Sequence, residues 1–333
     1  MPASTDPLAD FRTRRLELAK GRRATLLDLA PARDAADDAP AGTGTAVLYV
    51  HGFSDYFFQD HVARHFTDAG IPFYAIDLRG YGRSLQDGEL PAYVTDLAEH
   101  HEELDRAVET MLADGVERIV LLAHSTGGLI VPLWLADRRG SRVADAVVAV
   151  VLNSPWFDLQ GSDRFRRKVD LACATLGVVR PTAVINEGLG TYGDSVHNSR
   201  NGDWEFDLRW KPLMGFPVRA GWLRAVRRGQ RRLHRGLGLQ VPVLVLRSSR
   251  SELGLRAFAP SAMSADTVLD VEHMTRWAPS LGPDVTVEAV QDGMHDLLLS
   301  AAPVRERALA AIDEWLRPLL AGPATAPAST APA

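Results

Sequence analysis

The residue with the clearest chemical potential is Ser125, which sits in Leu121-Leu122-Ala123-His124-Ser125-Thr126-Gly127-Gly128. An apolar run, Ile119 to Ala123, stops there, and a helix-compatible stretch, Leu129 to Arg139, follows. Small residues at Ala123 and Gly127 flank the serine two positions away on either side. That spacing suits a sharp strand-to-helix turn, where two backbones come too close for larger side chains. Such a turn exposes the hydroxyl and points the first N–H groups of the helix at the atom it attacks. A serine hydroxyl is a weak nucleophile at neutral pH, so it needs a base, an acid to orient that base, and donors for the oxyanion.

The chain has ten histidines, and His295 is the favoured base. It lies in Gln291-Asp292-Gly293-Met294-His295-Asp296, beyond the last apolar strand and before the closing helix. His197, His234 and His273 fall in the insertion or on helical segments, and His51 precedes the serine, which suits a structural hydrogen bond. The acid is less plain. The loop after Val241 to Leu246 reads Arg247-Ser248-Ser249-Arg250-Ser251-Glu252, with Ser251 where an aspartate is usual. Asp266, in Ser264-Ala265-Asp266-Thr267-Val268-Leu269-Asp270, is favoured, with Glu252 as the alternative; Asp270 suits a helix cap. The N–H of Thr126 supplies one oxyanion donor, and the N–H of Phe53, after Gly52, the second.

These residues need a scaffold of alternating strands and helices. Leu16 to Ala30 reads as an edge hairpin turning at Gly21-Arg22-Arg23, after a loose leader over residues 1–14. Pro31 to Gly44 is a loop. Thr45 to Val50, Phe73 to Asp77, Ile119 to Ala123, Ala146 to Leu152, Val241 to Leu246 and Val285 to Val290 read as strands. They are apolar along most of their length, as in a parallel sheet covered on both faces. Helices are expected over His61 to Ala69, Tyr93 to Leu112, Leu129 to Arg139 and Arg305 to Leu320. The alternation breaks between residues 153 and 240, a stretch too long for a loop, which reads as a mostly helical insertion. The first part of the core then covers residues 15–152, the second 241–321, and residues 322–333 form a disordered Ala/Pro/Thr tail.

Composition narrows the class. At 333 residues with a net charge of -5, the chain argues against a dedicated nucleic-acid binder. A lone cysteine, Cys173, excludes an internal disulfide and a Cys-rich metal site, and favours a reducing compartment. With no secretory or membrane-spanning run, a cytoplasmic location is expected.

His51-Gly52-Phe53, Asp77-Leu78-Arg79-Gly80-Tyr81-Gly82-Arg83-Ser84, His124-Ser125-Thr126-Gly127-Gly128 and Gly293-Met294-His295 together resemble the α/β-hydrolase superfamily. The branch most similar is that of monoacylglycerol lipases and lysophospholipases, also labelled serine aminopeptidase-like. The resemblance covers residues 45 to 320. It implies an α/β-hydrolase fold, a helical cap over residues 153–240, and a serine esterase that needs no cofactor or metal and acts on small-molecule or lipid esters. A serine at 125 argues against the branches that use an aspartate nucleophile. Acyltransferase, thioesterase, lactonase or peptidase chemistry with the same triad is the alternative, followed by a ligand-binding homologue. The residues leave acyl length, leaving group and oligomeric state open.

The insertion concentrates Trp156, Phe157, Trp204, Phe206, Trp210 and Phe216, which tilt the expected substrate towards apolar esters. Trp222 to Gly236 reads as a basic amphipathic helix, through which the cap could touch a membrane surface, although packing on the domain is the simpler expectation.

Overall fold

A computed structural model describes residues 8–31, 44–188 and 190–321. The start of the expected leader, most of the loop from 31 to 44, and the tail from 322 lie outside them. In chain order, strands β1 (Arg12–Glu17) and β2 (Arg23–Leu29) form the expected hairpin, followed by β3 (Thr45–Val50), helix α1 (Asp60–Asp68) and β4 (Phe73–Asp77). Next come α2 (His101–Ala113), β5 (Arg118–His124), α3 (Gly127–Asp137), the short α4 (Arg142–Asp145) and β6 (Val147–Asn153). An inserted segment follows: α5 (Asp163–Val179), β7 (Val184–Asn186), α6 (Tyr192–Val196), β8 (Val218–Arg219) and α7 (Ala220–His234). β9 (Val243–Ser248), α8 (Val271–Trp277), β10 (Val285–Val290) and α9 (Ala302–Leu320) complete the chain.

Eight strands form one sheet in the order β1-β2-β4-β3-β5-β6-β9-β10. Pairing is antiparallel from β1 to β4 and parallel from there on. The central strands are apolar throughout because both faces are covered. One core lies over the face packed by α2, α3 and α7, and another beneath α1 and α9. Helix α3 is buried on all sides from Gly127 to Leu135, so it carries no amphipathic stripe. This is the doubly covered α/β architecture expected, with the ends of β3, β5, β9 and β10 delivering the site.

Three expectations about elements need correction. β1 begins at Arg12, inside the stretch expected to be loose. Its partners are charged: Arg12 and Arg14 pair with Asp28 and Asp114, and Leu8 and Phe11 are buried ahead of it. A strand stitched by ion pairs shows little apolar alternation. The long helix expected from Tyr93 starts only at His101, after a 3₁₀ turn at Leu97–His100. There the Asp96 carboxylate accepts from Ala98 N–H while Glu99 reaches back to the Asp96 N–H, so residue 96 is extended and helical structure begins only beyond it. The insertion, expected to be mostly helical and without strand runs, also carries β7 and β8, which pair into a two-stranded sheet.

Candidate active site

Ser125 adopts φ 52°, a left-handed conformation that is strained for a serine by about 1–3 kcal/mol. Neighbours hold it there: its N–H donates to the Asn153 carbonyl at 3.0 Å, and its carbonyl accepts from Trp156 N–H at 3.0 Å. The glycines around it are required by contact. A Cβ on Gly127 would lie 2.5 Å from the His51 carbonyl oxygen, and one on Gly52 would lie 2.9 Å from the Ser125 Cβ. The turn therefore wedges the serine between the ends of β3, β5 and β6.

His295 Nε2 stands 3.0 Å from Ser125 Oγ, and His295 Nδ1 stands 2.9 Å from Asp266 Oδ2. All three side chains are buried. The other Asp266 oxygen accepts from Val268 N–H at 2.8 Å and Leu269 N–H at 2.7 Å, which fixes the carboxylate towards the ring. Ser251 explains how an aspartate at 266 reaches this place. Its hydroxyl donates to the Leu269 carbonyl and accepts from Val271 N–H, both at 2.9 Å, and residues 251 and 266 pair in a short bridge. The side chain at 251 thus anchors the loop carrying Asp266. Glu252 points elsewhere: it is accessible to water and accepts from Ser261 Oγ at 2.7 Å and from Arg250, which together hold its pKa below the usual carboxylate value. Asp270 caps α8 by accepting from Glu272 N–H at 3.1 Å.

His51 is buried. Its Nε2 accepts from Leu78 N–H at 3.0 Å and its Nδ1 lies 2.8 Å from the Gly52 carbonyl, which fixes the neutral tautomer protonated at Nδ1. Burial pushes its pKa down. It ties the end of β3 to the block after β4. In that block Asp77 accepts from Phe57 N–H, Arg83 N–H and the Arg83 guanidinium, and a Cβ at Gly82 would strike the Asp77 carboxylate at 2.5 Å. The block is a structural loop. Among the described residues, no backbone acceptor binds the N–H of Phe53 or of Thr126, and both residues face Ser125 in one cavity.

That cavity encloses about 590 Å³ and is walled by side chains of the inserted segment, including Phe165, Val169, Leu176 and Leu223, with Val268 from the core. Cys173 on α5 lines it, with its thiol pKa pushed up by burial. The other histidines after Ser125 are engaged apart from it. His197 Nδ1 meets Ser199 Oγ at 2.8 Å, His234 Nε2 meets the Phe157 carbonyl at 2.8 Å, and His273 contacts Arg166.

No local pattern in the sequence marks a buried charged cluster beside Ser125 and His295. Asp55, His124 and Asp296 bring ligand-capable atoms within 4.8 Å of one another, a spacing that could suit a cation. Lys211 Nζ already stands 2.5 Å from Asp55 Oδ1, and Asn153 Nδ2 donates to Asp296 Oδ1 at 2.7 Å, so each carboxylate has a partner within the protein, although Asp55 Oδ2 accepts no hydrogen bond from the described residues. Burial alone would raise the Asp55 pKa, but Lys211 and His124 bring it below the ordinary value. Burial alone would lower the His124 pKa, but Asp296 and Asp55 raise it. The cluster joins five stretches of chain: Asp55 lies three residues beyond Gly52, His124 and Asp296 directly adjoin Ser125 and His295, and only Asn153 and Lys211 stand away from the motifs.

The sheet order, the strained serine turn and the loop positions define an α/β-hydrolase. The chain belongs to the serine aminopeptidase, S33, family, whose model matches residues 43–300, and is a serine hydrolase of the lipase and esterase class. It is 30% identical over 234 residues to a monoacylglycerol lipase of Mycolicibacterium smegmatis, a match covering 68% of this chain and 78% of the relative. It is 24% identical over 144 residues to phospholipase YtpA of Bacillus subtilis; that match covers 43% of this chain and spans about half of the relative's length, 52%. A monoglyceride lipase from Saccharomyces cerevisiae superposes with a TM-score of 0.67 at 15% identity, covering 92% of this chain and 94% of that one. The monoacylglycerol lipase of Paleococcus ferrophilus gives 0.62 at 20% identity, covering 88% and 98%. No described helix is long and apolar enough to cross a membrane.

Proposed function

We propose that the protein hydrolyses carboxylic esters with apolar acyl chains, of the monoacylglycerol or lysophospholipid type, through an acyl-enzyme on Ser125. The observation that carries this reading is the unbroken line from Asp266 through His295 to Ser125, ending in an apolar cavity of about 590 Å³. That volume falls within the range of roughly 300–1,000 Å³ that suits a small-molecule ligand.

In the first half-reaction Ser125 Oγ bonds to the acyl carbon while its proton passes to His295 Nε2. The carbonyl electron pair moves onto oxygen and is met by the N–H groups of Phe53 and Thr126. Collapse of this intermediate breaks the bond to the leaving alcohol, which takes the proton from His295. Water then repeats the sequence on the acyl-enzyme and releases the acid. Asp266 holds the imidazole with Nδ1 protonated, so that Nε2 can accept, and stabilises the imidazolium that forms.

The acyl chain lies along the wall built by α5 and α7. Each methylene that enters an apolar wall is worth about 0.8 kcal/mol, or roughly a factor of four. For p-nitrophenyl esters, kcat/KM is expected to climb from acetate to octanoate. A profile that is flat or falling over that range would remove the apolar acyl pocket from the account.

The inserted segment acts as a cap and meets lipid surfaces through α5. The basic helix α7 follows the simpler expectation and packs on the domain: Arg227 is buried between Asp158 and Asp170, and Arg228, Arg231 and Arg232 pair with Asp96, Asp170 and Asp137. α5 and β7 instead expose Leu171, Val178, Val179 and Ile185 at 71%, 59%, 79% and 40%, beside exposed Arg167 and Lys168. An apolar and basic face of this kind favours an anionic bilayer. Co-sedimentation with phosphatidylglycerol vesicles should fall at least fivefold in Leu171→Asp/Val178→Asp; equal sedimentation of both proteins would exclude α5 as the contact.

A further inference from the structure

The loop offering the Phe53 amide is gripped by the inserted segment at every residue from 53 to 56. The Phe53 ring packs on Trp222 with centroids 4.0 Å apart. Ser54, held at φ 55°, accepts at its hydroxyl from Phe216 N–H at 2.8 Å. Asp55 Oδ1 meets Lys211 Nζ at 2.5 Å, with both side chains buried. The Tyr56 hydroxyl accepts from Asp207 N–H at 2.7 Å, and its ring meets Trp210 edge-on. All five partners come from residues 207 to 222, so one strap holds one loop.

Within this grip the ion pair is the costly member. Burying an ammonium and a carboxylate carries a desolvation penalty that their attraction only roughly offsets, and a pair of apolar side chains would hold the strap as firmly. What an ion pair adds is a defined geometry. Lys211 is further fixed by the rings of Phe58 and Phe206, at 5.4 and 5.5 Å. Asp55 lies two residues from the Phe53 amide, and Gly52 abuts Ser125. A shift of the loop therefore moves the amide relative to the developing oxyanion, where a misplacement of about 1 Å can cost on the order of 100-fold.

We propose that Lys211, acting through Asp55, is a positioning residue that sets the Phe53 amide in the oxyanion hole, so that the hole is complete only when the strap at 207–222 is seated. This rests on the serine-hydrolase reading above. It predicts a defect in stabilising the tetrahedral state, with little change in ground-state binding.

The test compares wild type, Lys211→Met, Lys211→Arg, Asp55→Asn and the double variant on p-nitrophenyl octanoate. Inhibition is measured with octylboronic acid, which forms a tetrahedral adduct on Ser125, and with 1-octanol, which only fills the cavity. Lys211→Met is expected to lower kcat about 10- to 100-fold with KM within threefold. It should weaken the boronic acid by the same factor and leave the alcohol unchanged. Lys211→Arg should recover most of the loss, and the double variant should be no worse than Lys211→Met. Should Lys211→Met fail to fold, Asp55→Asn carries the same expectation. Normal kcat, or a loss confined to KM and alcohol binding, overturns the inference while active wild type leaves the hydrolase reading standing. If wild type neither turns over the ester nor is blocked at Ser125, that reading falls, and the inference with it.

Discussion

Ser125→Ala is expected to lower kcat/KM on p-nitrophenyl octanoate by about 10⁴- to 10⁶-fold while the melting temperature stays near that of wild type. The size follows from the part being removed. Without Oγ no acyl-enzyme forms, and what remains is whatever the amides of Phe53 and Thr126 and the cavity can do for direct attack by water. The fold should tolerate the change because alanine keeps the Cβ that abuts Gly52, and the backbone bonds to Asn153 and Trp156 do not involve the hydroxyl. His295→Ala should be comparably severe, and the double variant no worse than either single one, since the two side chains act as a unit. Retention of more than a few per cent of turnover in Ser125→Ala would place the nucleophile elsewhere.

Asp266→Asn should cost about 10⁴-fold in kcat, with Glu252→Gln staying within twofold. The asymmetry comes from hydrogen bonding. The amide introduced by Asp266→Asn can keep its oxygen on the N–H groups of Val268 and Leu269, which now serve one carboxylate oxygen. Its NH₂ would then face His295 Nδ1, where the Asp266 carboxylate now stands at 2.9 Å. The ring would accept at Nδ1 and carry its proton on Nε2, facing Ser125 with nothing to accept the hydroxyl proton. Glu252 binds Ser261 and Arg250 at the surface, so its amide should leave the imidazole untouched. Steady-state kinetics on the two purified variants decide this, and a larger loss in Glu252→Gln would transfer the acid role to it.

The parts of this site that the sequence made legible are those set by local rules. The serine turn shows itself because steric crowding forces small residues at fixed offsets, and Gly127 and Gly52 meet that crowding in space. His295 follows the last strand, and the loop of Asp266 reads as an acid loop even though residue 251 is a serine. Ser251 looked like a departure when read as a missing carboxylate; its hydroxyl in fact bonds the loop that supplies one. The apolar central strands were equally plain, because burial on both faces leaves no polar positions.

The features that escaped depend on pairing across long separations or on charged groups in buried places. β1 is held by Arg12 and Arg14 on Asp28 and Asp114, so its sequence carries little strand pattern. The delayed start of α2 had a signal in Asp96 and Glu99, three residues apart, which the apolar spacing from Tyr93 onward obscured. Lys211 and Asp55 are 156 residues apart, and no local rule joins them. The apolar face of α5 was masked by the more conspicuous arginines of α7, of which Arg228, Arg231 and Arg232 pair with aspartates of the core and of α5.

The central claim is a covalent acyl intermediate on Ser125. Mixing the protein with excess p-nitrophenyl octanoate, quenching in acid within the first turnovers and reading the intact mass, then the peptides, tests it directly. One added octanoyl group is expected on the peptide containing Ser125, accumulating further in His295→Ala only as slowly as that variant acylates, and absent from Ser125→Ala. Ester turnover by Ser125→Ala at the wild-type rate, or an octanoyl group that maps to another residue in active wild type, would contradict it.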